Sequence, residues 1–283
     1  MRHFRWQLLI VLITGLVVGL ILVFQRSATP LALESTPSPV TGGSFTEALA
    51  GEIIRLNPAL DRFNQPDRDV DRLIFSSLIK FDSRGLPVGD LAANWEVSSE
   101  GTRYVVNLRE NAVWHDGTPL TSQDVLYTVS LLQSSSSLVP EDLRNFWQQI
   151  QAAALSDLSL EFSLPNSFAP FLDYLTFQVL PSHLLGNLSL DELVDHPFNL
   201  APIGTGPYRF KEFQVADGKI SGVSLEAFEY YYSGRPYIDE VHFKLYPDAK
   251  AALQAYLGDE ADAVAQIAHE DLVTALNQPG LDV

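Results

Sequence analysis

Cysteine is absent from this 283-residue chain. Its absence excludes disulfides, thiolate metal sites, cysteine nucleophiles and lipid attachment through a lipobox cysteine. Basic residues are scarce as well: 18 Lys and Arg stand against 35 Asp and Glu, a formal net charge of -17. With so little basic charge to displace phosphate counterions, no nucleic-acid partner is expected. The sequence lacks G-x-S-x-G, G-x-x-x-x-G-K-[ST] and H-E-x-x-H. Its histidines, His3, His115, His183, His196, His242 and His269, show no metal-ligand spacing of about three to five residues. Neither catalysis, a metal nor a cofactor is expected. Apolar residues, by contrast, make up 46% of the chain, enough for one large or two ordinary domains with real cores.

The longest apolar run, Leu8–Phe24, holds 17 residues without a charge. That is the short limit for a membrane-spanning helix and longer than most signal-peptide cores. Arg2 and Arg5 precede it and Arg26 follows, so the positive-inside rule favours a cytoplasmic N-terminus with the remainder exported. No clear A-x-A site follows; residues 1–26 read as an uncleaved single-pass anchor, with a cleavable signal as the competing reading. A buried soluble helix fits less well, because Gly15 and Gly19 weaken it and it has no polar face. Ser27–Pro39, rich in Ser, Thr and Pro, reads as an extended linker within residues 27–41 that holds the folded part off the membrane.

Beyond the linker, strand and helix signals alternate without a repeat period, which predicts an α/β or α+β domain. Val70, Leu73, Ile74 and Leu78 predict a helix over Val70–Leu78 that feeds into Ile79-Lys80-Phe81, with a turn at Asp82–Gly85. The richest block is Leu91–Val129. In it Arg103–Leu108 is a β-branched and aromatic strand, and Ala112–Trp114 a second short strand ending at the Asp116-Gly117 turn, with Pro119 stopping ladder pairing. Thr121 and Asp124 form a near capping box that starts a helix near Ser122. His115 therefore reads as a turn residue rather than a catalytic or metal-binding one. Ser134–Ser137 reads as a solvated loop, Leu143–Ile150 as a helix with Phe146 and Trp147 on its apolar face, Leu158–Leu164 as a half-buried strand, and Phe168–Leu175 as an apolar cap. In Ile203–Phe210, Gly204 and Gly206 suggest a phosphate loop only weakly: Arg209 stands where a third glycine belongs and Pro207 lacks a donor. The segment reads as a tight turn into a strand over Tyr208–Phe213. Tyr230, Tyr231, Tyr232 and Tyr237 read as packing with hydroxyl handles, a ligand platform being the alternative.

Three blocks in this order, L-A-x-x-W-E to W-H-D-G-x-P-L-T across Leu91–Val129, G-T-G-P-Y-R-F at Gly204–Phe210, and F-E-Y-Y-Y-S-G-R-P-Y-I-D at Phe228–Asp239, resemble family 5 extracellular solute-binding proteins, the peptide, nickel and oligosaccharide receptors of ABC importers. The resemblance runs from Gly42 to about Ile267. It implies an α/β, periplasmic-binding-protein-like (type II) lobe over residues 42–73 and 166–267, an inserted small α+β domain over 74–165, and the start of a second, otherwise missing lobe over 268–283, with Glu270–Leu276 as its first helix. It also implies a monomer, extracytoplasmic and tethered to the cell membrane, that captures an oligopeptide or similar small solute and delivers it to ABC permease subunits. The segment Ile53–Pro58 would open a loop, Ala59–Asp67, facing the ligand, with Arg62, Phe63, Asn64 and Gln65 nearest to it; an ordinary exposed loop is the alternative. Phe146 and Trp147 would line a pocket by the same analogy. Two rival readings remain: a membrane-tethered interaction module without transport, and an acidic exported hydrolase built on Glu110 and Asp116.

Overall fold

The computed structural model describes residues 6, 12–20, 39–186, 188–278 and 281, and divides the chain into two units, Met1–Val40 and Thr41–Val283. In the first unit residues 12–20 are helical. Among the described residues no helix is long and apolar enough to cross a membrane. The rest of Leu8–Phe24, and the linker before Pro39, lie outside the described residues.

The second unit runs β1 (Ser44–Ala50), α1 (Gln65–Ile74), β2 (Ile79–Phe81), β3 (Pro87–Gly89), β4 (Ala92–Val97), β5 (Arg103–Leu108), α2 (Ser122–Leu132), α3 (Glu141–Trp147), β6 (Gln151–Ser156) and β7 (Ser159–Ser163). A 3-10 segment (Ala169–Thr176) and short helices α4 (Ser182–Leu185) and α5 (Leu190–Leu193) follow. Then come β8 (Tyr208–Ala216), β9 (Lys219–Ala227), β10 (Glu240–Tyr246), α6 (Ala249–Leu257), β11 (Ala263–Val264) and α7 (Leu272–Leu276). Two sheets organise it. A five-stranded sheet has the order β11-β1-β10-β9-β8, with β1 parallel to both β10 and β11 and the remainder antiparallel. An antiparallel four-stranded sheet has the order β4-β5-β7-β6. β5 and β7 alternate, burying Tyr104, Val106, Leu108, Leu160 and Phe162 in a core with Trp114, Trp147 and Phe171. A second core gathers Leu49, Leu56, Val70, Ile74, Val223, Leu225 and Phe243 beneath the larger sheet.

Local signals held where their partners were local. α2 starts at Ser122 as the Thr121/Asp124 pair predicts: the Thr121 N–H donates to Asp124 Oδ2 (2.9 Å). Where distant groups compete, the structure departs from expectation. α1 spans Gln65–Ile74 instead of Val70–Leu78. It starts early because Pro66 suits the first turn. It ends at Ile74, whose carbonyl accepts from the Gly206 N–H (2.8 Å), and the next residues are held extended as Ser77 N–H donates to the Asp90 carboxylate (3.1 Å). The expected strand Ala112–Trp114 shrinks to one bridge, Val113 to Pro119, because Pro119 has no N–H to extend it. Nor is Ser134–Ser137 wholly solvated, since Ser136 is buried and donates to Asp191 Oδ1 (2.8 Å).

His115 joins two of the sequence blocks. Its ring is buried against Phe228, Nδ1 accepts from the Gly204 N–H (3.2 Å), and Nε2 lies 3.1 Å from the Gly206 carbonyl. A neutral ring with the proton on Nε2 satisfies both bonds. Burial lowers its pKa to about 4, keeping it in that form at neutral pH. A Cβ on Gly204 or Gly206 would strike the backbone of Ile74, so the G-T-G sequence serves close packing of this loop on α1.

Candidate functional site

The loop after β1 is fixed from behind by buried amides. Asn57, fully buried, donates through Nδ2 to Asn199 Oδ1 (2.9 Å) and accepts from the Ala59 N–H at Oδ1 (3.1 Å), which turns the chain at Pro58. Asn199 in turn donates to the Leu193 carbonyl (2.8 Å). Asp67, in the first turn of α1, accepts the backbone N–H groups of Ile54 (2.9 Å) and Arg55 (3.2 Å). Asn64 donates to the Glu52 carbonyl (2.9 Å). The loop is thereby clamped at both ends, and the stretch between faces a cavity of about 850 Å³.

That volume falls within the usual range for small-solute sites, roughly 300–1,000 Å³. Leu131, Leu132, Val139 and Leu143 form an apolar wall; Phe75, Phe177 and Tyr231 add aromatic surface. The charges are concentrated elsewhere on the lining, in Asp61, Arg62, Arg68, Arg72, Lys80 and Asp90. Lys80 Nζ meets Asp90 Oδ1 at 2.9 Å, and the Tyr232 hydroxyl donates to the same oxygen (2.8 Å). Burial lowers the Lys80 pKa, but the bond to Asp90 outweighs it and the net shift is upward. Arg109 braces this group, its Nε donating to the Asp90 carbonyl (2.5 Å) and its guanidinium lying 5.5 Å from the Tyr232 ring centre.

Behind the loop, burial dominates three carboxyls. Asp61 is pushed up to about 7 by burial, with Arg68 and Arg72 opposing and Asp67 reinforcing the rise. Asp67 is raised by burial against the pull of its hydrogen bonds. Asp71 is fully buried, neither carboxyl oxygen has a hydrogen-bond partner among the described residues, and burial together with Asp61 and Asp67 raises it well above the carboxylate range. The Asn57 N–H, which already donates to the Arg55 carbonyl (3.2 Å), opposes this only weakly. Among the described residues, no group of three or more His, Cys, Asp or Glu side chains could hold a metal ion.

Of the six residues singled out from sequence, Arg62 alone lines the cavity. Phe63 is 88% exposed beside it, with the Arg62 guanidinium 5.9 Å from its ring centre. Asn64 caps and ties the loop, and Gln65 bonds Asp69 (2.6 Å) inside α1. Phe146 packs on Tyr174 (3.9 Å between centroids) and Phe168. Trp147, 1% exposed, belongs to the core against Phe162, Phe171 and Phe177 and does not line the cavity. Asp61, Arg68, Arg72, Lys80 and Asp90 also line the cavity, and no motif in the sequence singles them out. The i, i+4 spacing of Arg68 and Arg72 was the one available signal that two cations share a helix face. Of the four tyrosines, Tyr232 is the buried hydroxyl handle, Tyr231 reaches the cavity, and Tyr230 and Tyr237 are exposed.

The sequence model of the bacterial extracellular solute-binding proteins, family 5, matches residues 87–283. The oligopeptide-binding protein AppA of Bacillus subtilis is 31% identical over 83% of this chain and 43% of its own length. The dipeptide-binding protein of Escherichia coli is 24% identical over 68% of the chain and 40% of its own. Among solved structures, AppA in complex with a nonapeptide superposes with a TM-score of 0.73 at 28% identity, covering 84% of this chain and 47% of that one. NikZ from Campylobacter jejuni in complex with Ni(L-His) gives 0.70 at 28% identity, covering 83% and 45%. The chain thus spans less than half the length of each of these relatives.

Proposed function

The chain belongs to the bacterial extracellular solute-binding proteins of family 5, whose members are receptors rather than enzymes, and we propose that its 850 Å³ cavity is where it captures a small solute. The observation that carries this reading is the clamped loop, whose Pro58, Ala59, Asp61 and Arg62 line the cavity together with the apolar side chains of Leu131, Leu132, Val139 and Leu143. Such a mixture of apolar area and a few fixed polar groups suits a solute held by orientation-specific contacts. Oligopeptide is the first choice of ligand, since relatives named as oligopeptide- and dipeptide-binding proteins share this fold. Arg62 touches the solute; Asn64 and Gln65 set the loop, and Phe63 closes over its outer edge. Delivery to an ABC permease, and attachment to the membrane through Leu8–Phe24 with the folded part outside the cytoplasm, complete the proposal.

A thermal-shift screen of the full chain against di- and oligopeptides, oligosaccharides and nickel chelates tests it. A ligand at about 100 times its Kd should add about 2.7 kcal/mol of stability, a rise in Tm of a few degrees. No stabilisation by any class would overturn solute capture.

A further inference from the structure

We propose that the cavity selects solutes bearing an acidic group, a carboxylate or a phosphoryl group, which Arg62, Arg68 and Arg72 receive on its loop-and-helix wall. This rests on the solute-capture reading and gives that solute a chemistry. The chain as a whole carries a net charge of -17, yet the cavity collects four cations, Arg62, Arg68, Arg72 and Lys80, against two carboxylates, Asp61 and Asp90. Lys80 and Asp90 neutralise one another at 2.9 Å. What is left on the lining is three guanidiniums against Asp61, with Asp69 behind Arg72 at 3.5 Å, a local sign still opposite to that of the molecule.

The placement follows from α1. Arg68 and Arg72 are four residues apart and project from the same face. The Arg68 guanidinium reaches back to the Arg62 carbonyl and the Gln65 side-chain oxygen, which draws the loop and helix cations together. Of the helix's own carboxylates, Asp67 is spent on the Ile54 and Arg55 amides and Asp71 lies on the buried face, while Asp69 bonds Gln65 (2.6 Å) and offsets Arg72 in part at 3.5 Å. Among the described residues the Arg62 guanidinium donates no hydrogen bond to the protein; its neighbour is the Phe63 ring. A planar fork of donors with open positions matches a carboxylate or phosphoryl group.

Asp61 modulates this wall. It is faced by Arg68, Arg72, Asp67 and Asp71, and burial leaves it half-ionised near pH 7. An acidic solute repels its anion, so affinity should fall as the pH rises from about 6 to 8 through that value.

Calorimetric titration of the detergent-solubilised full chain tests the proposal, with Ala-Glu-Ala as the acidic probe and Ala-Gln-Ala-amide and Ala-Lys-Ala-amide as matched peptides without an acidic group. The acidic probe should bind about tenfold or more tightly, as expected for charge-assisted bonds. That preference should vanish in the R62Q/R72Q double variant, whose two positions are exposed and whose Tm should match the parent. Equal binding of all three peptides, or an unchanged preference in the double variant, overturns the acidic-group proposal while leaving solute capture standing. If none binds, and the thermal-shift screen is also blank, solute capture itself fails.

Discussion

Asp71 sits on the buried face of α1 with both carboxyl oxygens unbonded among the described residues, which is tolerable only if the group is neutral. Its folded pKa is raised by burial, so it binds a proton more tightly folded than unfolded. The sign follows from linkage: stability is full below the unfolded value near 4 and declines as the pH rises towards the folded one. The Asp71→Asn variant removes that ionisation. Chemical denaturation should find it close to the parent at pH 4 and more stable by a kcal/mol or so, roughly 1–3, at pH 9. Parallel stabilities across that range would show that the Asp71 charge is not costly. No sequence rule flags this residue, because the i, i+4 repeat Asp67/Asp71 looks like a solvated face until the fold buries it. His115 was legible as a turn residue; its Gly206 partner, 91 positions away, was not.

At the scale of elements, junctions decide more than propensities do. Asp124 was readable as a helix cap, yet it also accepts from Trp114 Nε1 (3.3 Å), from the Ser182 N–H (2.9 Å) and from the Ser182 hydroxyl (2.6 Å), tying α2 to α4 and to the turn at His115. The end of α1 depends on Gly206 bonding the Ile74 carbonyl, and Gly204 approaches that carbonyl too closely for any Cβ. Gly204→Ala should therefore separate this loop from α1 and lower stability by about 3 kcal/mol or more, the upper range for overpacking. Equilibrium unfolding with a loss below about 0.5 kcal/mol would contradict the close-packing role of the G-T-G sequence. Elements with local warrants, α2 at its Thr121/Asp124 start, β5 by its β-branched and aromatic run and β7 by its alternation, were predictable from sequence; the end of α1 was set by a distant backbone amide and was not.

For the whole molecule, ordered sequence blocks reveal the family because they build its scaffold: the His115 turn and the G-T-G junction join two of them, and Tyr232 of a third braces Asp90 and Lys80 outside the blocks. The cavity was less legible, since its wall combines the loop after Pro58, one face of α1, the Leu138–Leu143 segment and Tyr231, which only the fold assembles. A binding site distributed in this way leaves no contiguous motif. Leu138 lines the cavity and is 39% exposed, so a larger side chain there can occupy the cavity without disturbing either core. The most direct test is a titration of the parent chain and its Leu138→Trp variant with the best solute from the screen. The account predicts saturable binding of about one solute per chain by the parent, and at least about tenfold weaker binding by a variant of unchanged Tm, about 1.4 kcal/mol. Undiminished binding by Leu138→Trp would place the solute elsewhere and contradict it.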